Sequence, residues 1–271
     1  MKEVNSYGWK AVIGSSIGYA MDGFDLLILG FMLTLISGDL GLTTGQAGSL
    51  VTWTLVGAVL GGFIFGTLSD KFGRVRVLTW TIVLFAVFTG LCAFAQGYWD
   101  LLIYRTIAGI GLGGEFGIGM ALAAEAWPAQ HRAKATSYVA LGWQLGVLAA
   151  ALLTPLLIPI IGWRGMFMVG IIPALVAWVF RAKLHEPEIF VQSKEDKEHS
   201  HTNSFKLLVK DVRTTKTSIG VAILTSVQNF GYYGIMIWLP NFLSKQLGFS
   251  LTKSGLWTAV TVCGMMVGIW L

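Results

Sequence analysis

Two carboxylates, Asp22 and Asp25, stand three residues apart in "GYAMDGFDLLILG" (18–30), inside an apolar run that extends from about residue 10 to residue 36. In a helix that spacing puts both on one face. Neighbouring carboxylates raise one another's pKa and titrate as a coupled set, so such a pair is suited to taking up and releasing a proton. A second apolar run, 99–123, supplies the opposite charge, Arg105, and a third acid, Glu115. A bland reading of these groups is an ion pair that only ties two helices together. One acid would suffice for that, whereas two acids against one arginine leave a carboxylate free to exchange protons. Neutral polar groups able to bind a substrate lie in other apolar runs. Gln144 is the one strongly polar side chain of "ALGWQLGVLAAALL" (140–153), where it either binds substrate or packs, and Gln228, Asn229 and Tyr232, beside Tyr233, lie further on.

The elements that must hold these residues follow from composition. Of the 271 residues, 55% are hydrophobic and 12% are charged, against about 25% charged in a soluble domain. Runs long enough to cross about 30 Å of hydrocarbon, roughly 18 residues or more, fall at 10–36, 47–68, 77–96, 99–123, 135–156, 164–182, 217–243 and 253–271. The expected fold is therefore an all-α membrane protein in a lipid bilayer. An Asp near the centre of such a helix costs about 2.5–3.5 kcal/mol, so Asp22 and Asp25 are expected to face a watery cavity or a partner. Gly23 between them is expected to loosen the helix.

The net charge of +5 points to membrane orientation and not to nucleic acid. Fifteen of the nineteen Lys and Arg fall at 2–10, 71–76, 132–134 and 181–216, all on one side of the span count. By the positive-inside rule this side, with the N-terminus, is cytoplasmic. The first span is expected to be retained. It is too long for a signal h-region, carries two Asp and lacks a small-residue cleavage site. Cys92 and Cys263 both fall inside apolar spans, which leaves no disulfide framework and no CxxC motif.

The one sizeable polar segment, 183–215, divides the chain into six spans (1–182), a cytoplasmic linker, and the start of a second set (216–271). His199 and His201 in the linker lack a third ligand and are read as exposed rather than as a metal site. "DLGLTTGQAG" (39–48) aligns without gaps on "QLGFSLTKSG" (246–255), across six intervening spans, the pattern of a duplicated six-span unit. On that offset the counterpart of Gly66 lies beyond Leu271, so the chain is expected to stop inside its eighth span, with further helices in the whole protein.

Between the second and third spans, "GTLSDKFGRVRVL" (66–78) places Gly66 for close helix approach, Asp70 to accept donors or pair with a cation, Gly73 for a tight reversal, and Lys71, Arg74 and Arg76 to hold the loop inside. This stretch resembles the G-x-L-x-D-[RK]-x-G-R-[RK] signature of the major facilitator superfamily, with Val75 where a second consecutive basic residue is usual. "RTIAGIGLGGE" (105–115) resembles the fourth span of that superfamily. "EAWPAQHR" (125–132) resembles its next cytoplasmic loop, and "IGWRGMF" (161–167) and "LHEPE" (184–188) resemble the surroundings of its sixth span. "GIGLGG" (109–114) formally satisfies a dinucleotide fingerprint, but it lies in an apolar span without a βαβ unit. Gly109, Gly113 and Gly117 recur every fourth residue and are read as a packing face.

The resemblance implies a helical bundle of the major-facilitator type, with about eight of twelve membrane helices present. "DGFD" further resembles the metabolite:proton symporters of aromatic acids, sialic acid and related anions. That likeness leads us to expect proton-coupled uptake of a small organic anion by a monomer in the inner or plasma membrane, with the proton gradient as energy source and no cofactor. Asp22, Asp25 and Glu115 would carry protons. Arg105, Gln144, Gln228, Asn229 and Tyr232 would bind the carboxylate substrate. Gly66, Asp70, Lys71, Gly73, Arg74, Glu125 and Arg132 would form a cytoplasmic gate, with Glu115 alternatively binding the Asp70–Arg74 loop. A sugar or polyol carrier of the same fold is the nearest rival, since a neutral sugar does not need Arg105. A drug antiporter is disfavoured because span five lacks the G-x-x-x-G-P-x-x-G-G pattern. A membrane receptor built on the same fold is the rival from another class. No nucleophile elbow, Walker loop or metal-ligand cluster marks an enzyme.

Overall fold

The computed structural model describes residues 6–181, 184–186, 190 and 209–270. The described elements are helical throughout: α1 (Ser6–Leu40), α2 (Thr44–Phe72), α3 (Arg74–Cys92), α4 (Tyr98–Glu125), a single 3-10 turn (Ala129–His131), and a long stretch, Arg132–Arg181. Within that stretch Gly162 (φ 66°, ψ −178°) leaves helical geometry, so it is two helices, α5 (132–161) and α6 (163–181). Later in the chain come α7 (Val212–Met236), α8 (Leu239–Leu247) and α9 (Leu251–Trp270). His199 and His201 lie outside the described residues, as does most of the expected linker.

Among the described residues, five helical stretches are long and apolar enough to cross a membrane, and the fifth, Ala129–Val179, covers α5 and most of α6. These account for the first six expected spans. The seventh differs from expectation. Its helix starts at Val212, earlier than expected, because Asp211 caps it by accepting from the Thr214 amide at 2.8 Å. It stops at Met236, and the chain turns at Ile237 and Trp238 into the short α8, with Pro240 in its first turn. Proline lacks an N–H and is well tolerated at a helix start, which suits Pro240 to the first turn of α8 after the break at Ile237 and Trp238.

The repeat reappears in three dimensions. Gly41 and Gly248 share a left-handed φ of 63°. Two residues later Thr43 and Ser250 cap the next helix, accepting from the amides of Gln46 and Lys253, each at 3.3 Å. One local structure is thus written twice, at the offset of 207 (248 − 41) seen in the sequence.

Close helix contacts position the site. Any Cβ at Gly109 or Gly113 of α4 would overlap the carbonyls of Thr54 and Ala58 on α2, whereas Gly117 faces open space. The packing face therefore comprises two of the three expected glycines. Gly23 also has a role other than the one expected. α1 is helical straight through it, and the missing side chain admits the Trp143 carbonyl of α5, 2.6 Å from where a Cβ would be. Gly66 has nothing within 4 Å and supports no close approach.

Candidate functional site

The packing of α1 against α4 and α5 buries both acids, each about 1% exposed. Asp25 accepts from both terminal nitrogens of Arg105, at 3.0 and 2.7 Å, in a bidentate fork. Arg105 is fully buried. Its Nε donates to the Thr54 hydroxyl at 3.4 Å, and its guanidinium lies 5.8 Å from the centre of the Phe167 ring. One helical turn away, Asp22 lines a cavity of about 970 Å³, together with Tyr19, Phe116, Trp143, Asn229 and Tyr233. Arg105 and Asp25 are not among the lining residues. Three residues of spacing thus separate a carboxylate on the cavity wall from one held behind it against an arginine.

The other expected binding residues divide. Asn229 reaches the wall, its amide nitrogen donating to the Thr225 carbonyl at 2.9 Å. Its position on α7 is the counterpart of Asp22 on α1 under the same offset, so the two faces of the cavity present an acid and its neutral analogue. The Tyr232 hydroxyl accepts from the indole of Trp143 at 2.7 Å, a bond between the two sets of helices. Gln144 is mostly buried, its amide nitrogen 3.9 Å from the sulfur of Met265 on α9. Gln228 is exposed and does not line the cavity. Glu115 is buried and accepts from the Thr81 hydroxyl of α3 at 2.6 Å.

Tyr19, Trp143 and Phe116 were missed as wall residues, whereas Tyr233 was noted beside Tyr232. In sequence the three missed residues are ordinary members of apolar runs. The only available signal was the flanking of Trp143 by Gly142 and Gly146, whose missing side chains let α5 lie directly on the α1 carbonyls of Ser16 and Ala20.

At the basic end, where the N-terminus of α1 lies, Arg74 donates to Asp70 at 2.6 Å, Ser69 at 2.7 Å and Glu125 at 3.2 Å. Glu125 therefore pairs with Arg74, whereas Arg132 is exposed. Lys71 lies over the Phe72 ring at 5.4 Å. Gly73 adopts φ 110°, and a Cβ there would collide with the carboxylate of Glu186. That carboxylate caps α3, accepting from the amides of Arg74 (2.7 Å), Val75 (3.3 Å) and Arg76 (3.1 Å). Position 75 contributes its amide to that cap, and its valine side chain is buried in an apolar cluster with Val77, Leu78 and Leu184. The Tyr7 hydroxyl donates to the His185 carbonyl at 2.6 Å, fixing the same segment to α1. The role of Glu186 was not legible in "LHEPE", because a carboxylate cap 112 residues away along the chain has no local signature.

Residues 15–271 match the Major Facilitator Superfamily. The chain belongs to that superfamily. A Haemophilus influenzae protein named for metabolite transport is 78% identical over 99% of the chain and 67% of its own length. A cis,cis-muconate transport protein of Acinetobacter baylyi is 32% identical over 98% of the chain and 65% of its own length. A sialic acid transporter of Escherichia coli is 33% identical over 71% of the chain and 48% of its own length. The chain thus spans between about half and two thirds of these relatives. Among solved structures, a major-facilitator proton:xylose symporter bound to 6-bromo-6-deoxy-D-glucose superposes with a TM-score of 0.76. It is 20% identical over 98% of this chain and 68% of that one, a likeness of fold. As a superfamily member with its apolar helices, the chain is a multi-pass membrane protein.

Proposed function

We propose that the protein is a proton-coupled symporter that takes up a small organic anion, an aromatic or sugar acid, by alternating access. The observation that carries this reading is the buried Asp25–Arg105 fork beside an Asp22 that lines the cavity. A guanidinium fork accommodates one carboxylate at a time in bidentate geometry. Asp25 and a substrate carboxylate therefore compete for the same donors. A proton on Asp25 removes its charge and one acceptor site, releasing Arg105 for the anion. Asp22, one turn away on the cavity wall, is placed to pass that proton inward from cavity water. Proton and anion are then bound together or not at all, which is the requirement for symport. The names of the muconate and sialic acid relatives support an organic acid as cargo.

In this reading residues 1–182 form one transporter half, 183–215 the linker and 216–271 the opening of the second half. The protein works as a monomer in the cytoplasmic membrane with its basic end cytoplasmic, a reading supported by the Lys and Arg distribution. The contacts of Asp70, Arg74, Glu125 and Glu186 stabilise that end. Arg105→Lys keeps the charge and removes the planar fork. Uptake of carboxylates by the full-length variant is expected to fall at least about tenfold, the equivalent of one lost 1.4 kcal/mol contact. Wild-type uptake by Arg105→Lys would overturn the assignment.

A further inference from the structure

A groove of about 510 Å³ runs between α3 and α6, on helices that do not line the Asp22 cavity. Its rims are Val83 and Val87 of α3, Phe94 just beyond that helix, and Met168, Leu175 and Trp178 of α6, all exposed, and no charged side chain lines it. From Ile82 to Phe94 it follows the chain for about 18 Å. One leaflet of a roughly 30 Å hydrocarbon core is about 15 Å deep, so the groove has the depth of one leaflet. Its outer end, away from the basic loops, is charged. There Arg164 donates to Asp39 at 2.5 Å and to the Ala95 carbonyl, next to Phe94, at 3.3 Å. Both charged side chains are almost half exposed, 45% and 47%.

We propose that this groove is a binding site for one phospholipid with an ethanolamine headgroup, its acyl chain between α3 and α6 and its headgroup on the Asp39–Arg164 pair. The site needs only a membrane-spanning chain and is independent of what the protein transports. An apolar groove open to the bilayer at this depth meets acyl chains, and the charges at its mouth select the headgroup. A guanidinium has five N–H donors, and the bonds to Asp39 and Ala95 use two of them, so donors remain for a phosphate. Asp39 accepts from Trp163 (3.1 Å) and Arg164 on the same oxygen, Oδ2, which leaves the lone pairs of Oδ1 for an N–H donor. A phosphate and an ammonium on one headgroup therefore pair with both residues. A purely anionic headgroup is repelled by Asp39, and a quaternary ammonium has no N–H to give it.

The test uses the full-length protein, stripped of lipid in detergent, and native mass spectrometry after addition of phosphatidylethanolamine, phosphatidylglycerol or phosphatidylcholine. The parent is expected to retain the ethanolamine lipid in preference to the other two. Ala86→Phe, which fills the groove from its half-buried wall, is expected to bind that lipid at least about tenfold more weakly, the loss of one ordinary contact. Ile103→Phe, on an exposed face of α4 outside the groove, is expected to bind like the parent. Arg164→Gln and Asp39→Asn should still bind lipid but lose the preference for ethanolamine. A second readout does not depend on Ala86→Phe folding. A stoichiometric amount of phosphatidylethanolamine with brominated acyl chains should quench the parent more than Trp178→Phe, because that indole lies on the groove. Parent-like binding by Ala86→Phe, equal quenching of parent and Trp178→Phe, or equal or tighter binding of either other lipid by the parent would overturn the site.

Discussion

Replacing Asp25 by alanine strands a guanidinium that is fully buried and has given both terminal nitrogens to that one carboxylate. Its remaining hydrogen-bond acceptor among these contacts is the Thr54 hydroxyl, at a long 3.4 Å. Breaking a buried pair by removing one partner costs about 3–5 kcal/mol, because the other charge is left uncompensated. At about 1.4 kcal/mol per decade, the unfolding equilibrium should rise by roughly two to four powers of ten. Removing both charges behaves differently. In Asp25→Leu/Arg105→Met the site behind the cavity wall becomes apolar and no charge is stranded, so most of the loss should be recovered. Equilibrium unfolding of the full-length protein in mixed micelles, followed by tryptophan fluorescence, measures all three. A silent Asp25→Ala, or a double variant as unstable as the summed single variants, would refute the claim that this carboxylate neutralises a buried charge.

The close approach of α2 and α4 makes Gly113→Ala unfavourable, by about 1–3 kcal/mol of overpacking, since its methyl overlaps the Ala58 carbonyl. Gly117→Ala, facing open space in the same helix, should be stabilising by about 0.5–1 kcal/mol; the same unfolding assay ranks them. Glu186→Ala removes the acceptor shared by three amides of the first turn of α3. A cap of this kind contributes about 0.5–2 kcal/mol, so hydrogen exchange at 74–76 should accelerate roughly 2- to 30-fold, and unchanged exchange there would contradict the capping role. Asp211, capping α7, is held below the ordinary carboxylate range by hydrogen bonds from the Thr214 amide and hydroxyl. A lowered folded-state value means the cap is complete above the ordinary carboxylate pKa and is lost as pH falls through the lowered one. Protection of the Thr214 amide, corrected for intrinsic exchange, should therefore drop on acidification, and pH-independent protection would contradict it.

Much of the architecture was legible because the bilayer imposes a simple code of length and apolarity. The repeated "GLTTGQ"-type turn was legible too, since a left-handed glycine followed by a capping hydroxyl is a local device that a sequence states outright. The early end of the seventh span was not legible, because Pro240 alone does not mark a break in a chain whose α5 runs helical through Pro155 and Pro159. In the site, the charged residues stood out against an apolar background, and an ion pair between the first and fourth spans was legible from their opposite charges. Which acid met the arginine and which met the cavity depended on helix rotation, and that rotation is set by where Gly23 and Gly146 allow α5 to rest on α1. The aromatic wall was hidden for a related reason. Tyr19 and Trp143 look like core residues until the packing shows that they face a space. Glu186 reaches α3 only because the chain returns to the basic end after six crossings.

The most direct test reconstitutes the full-length protein in liposomes enclosing a pH-sensitive dye and challenges it in turn with aromatic acids, sugar acids, short hydroxy acids and neutral sugars. The account predicts that the lumen acidifies with a carboxylate and not with a neutral sugar, and that Asp22→Asn abolishes the acidification. Sugar uptake without proton movement, or full acidification by Asp22→Asn, would contradict it.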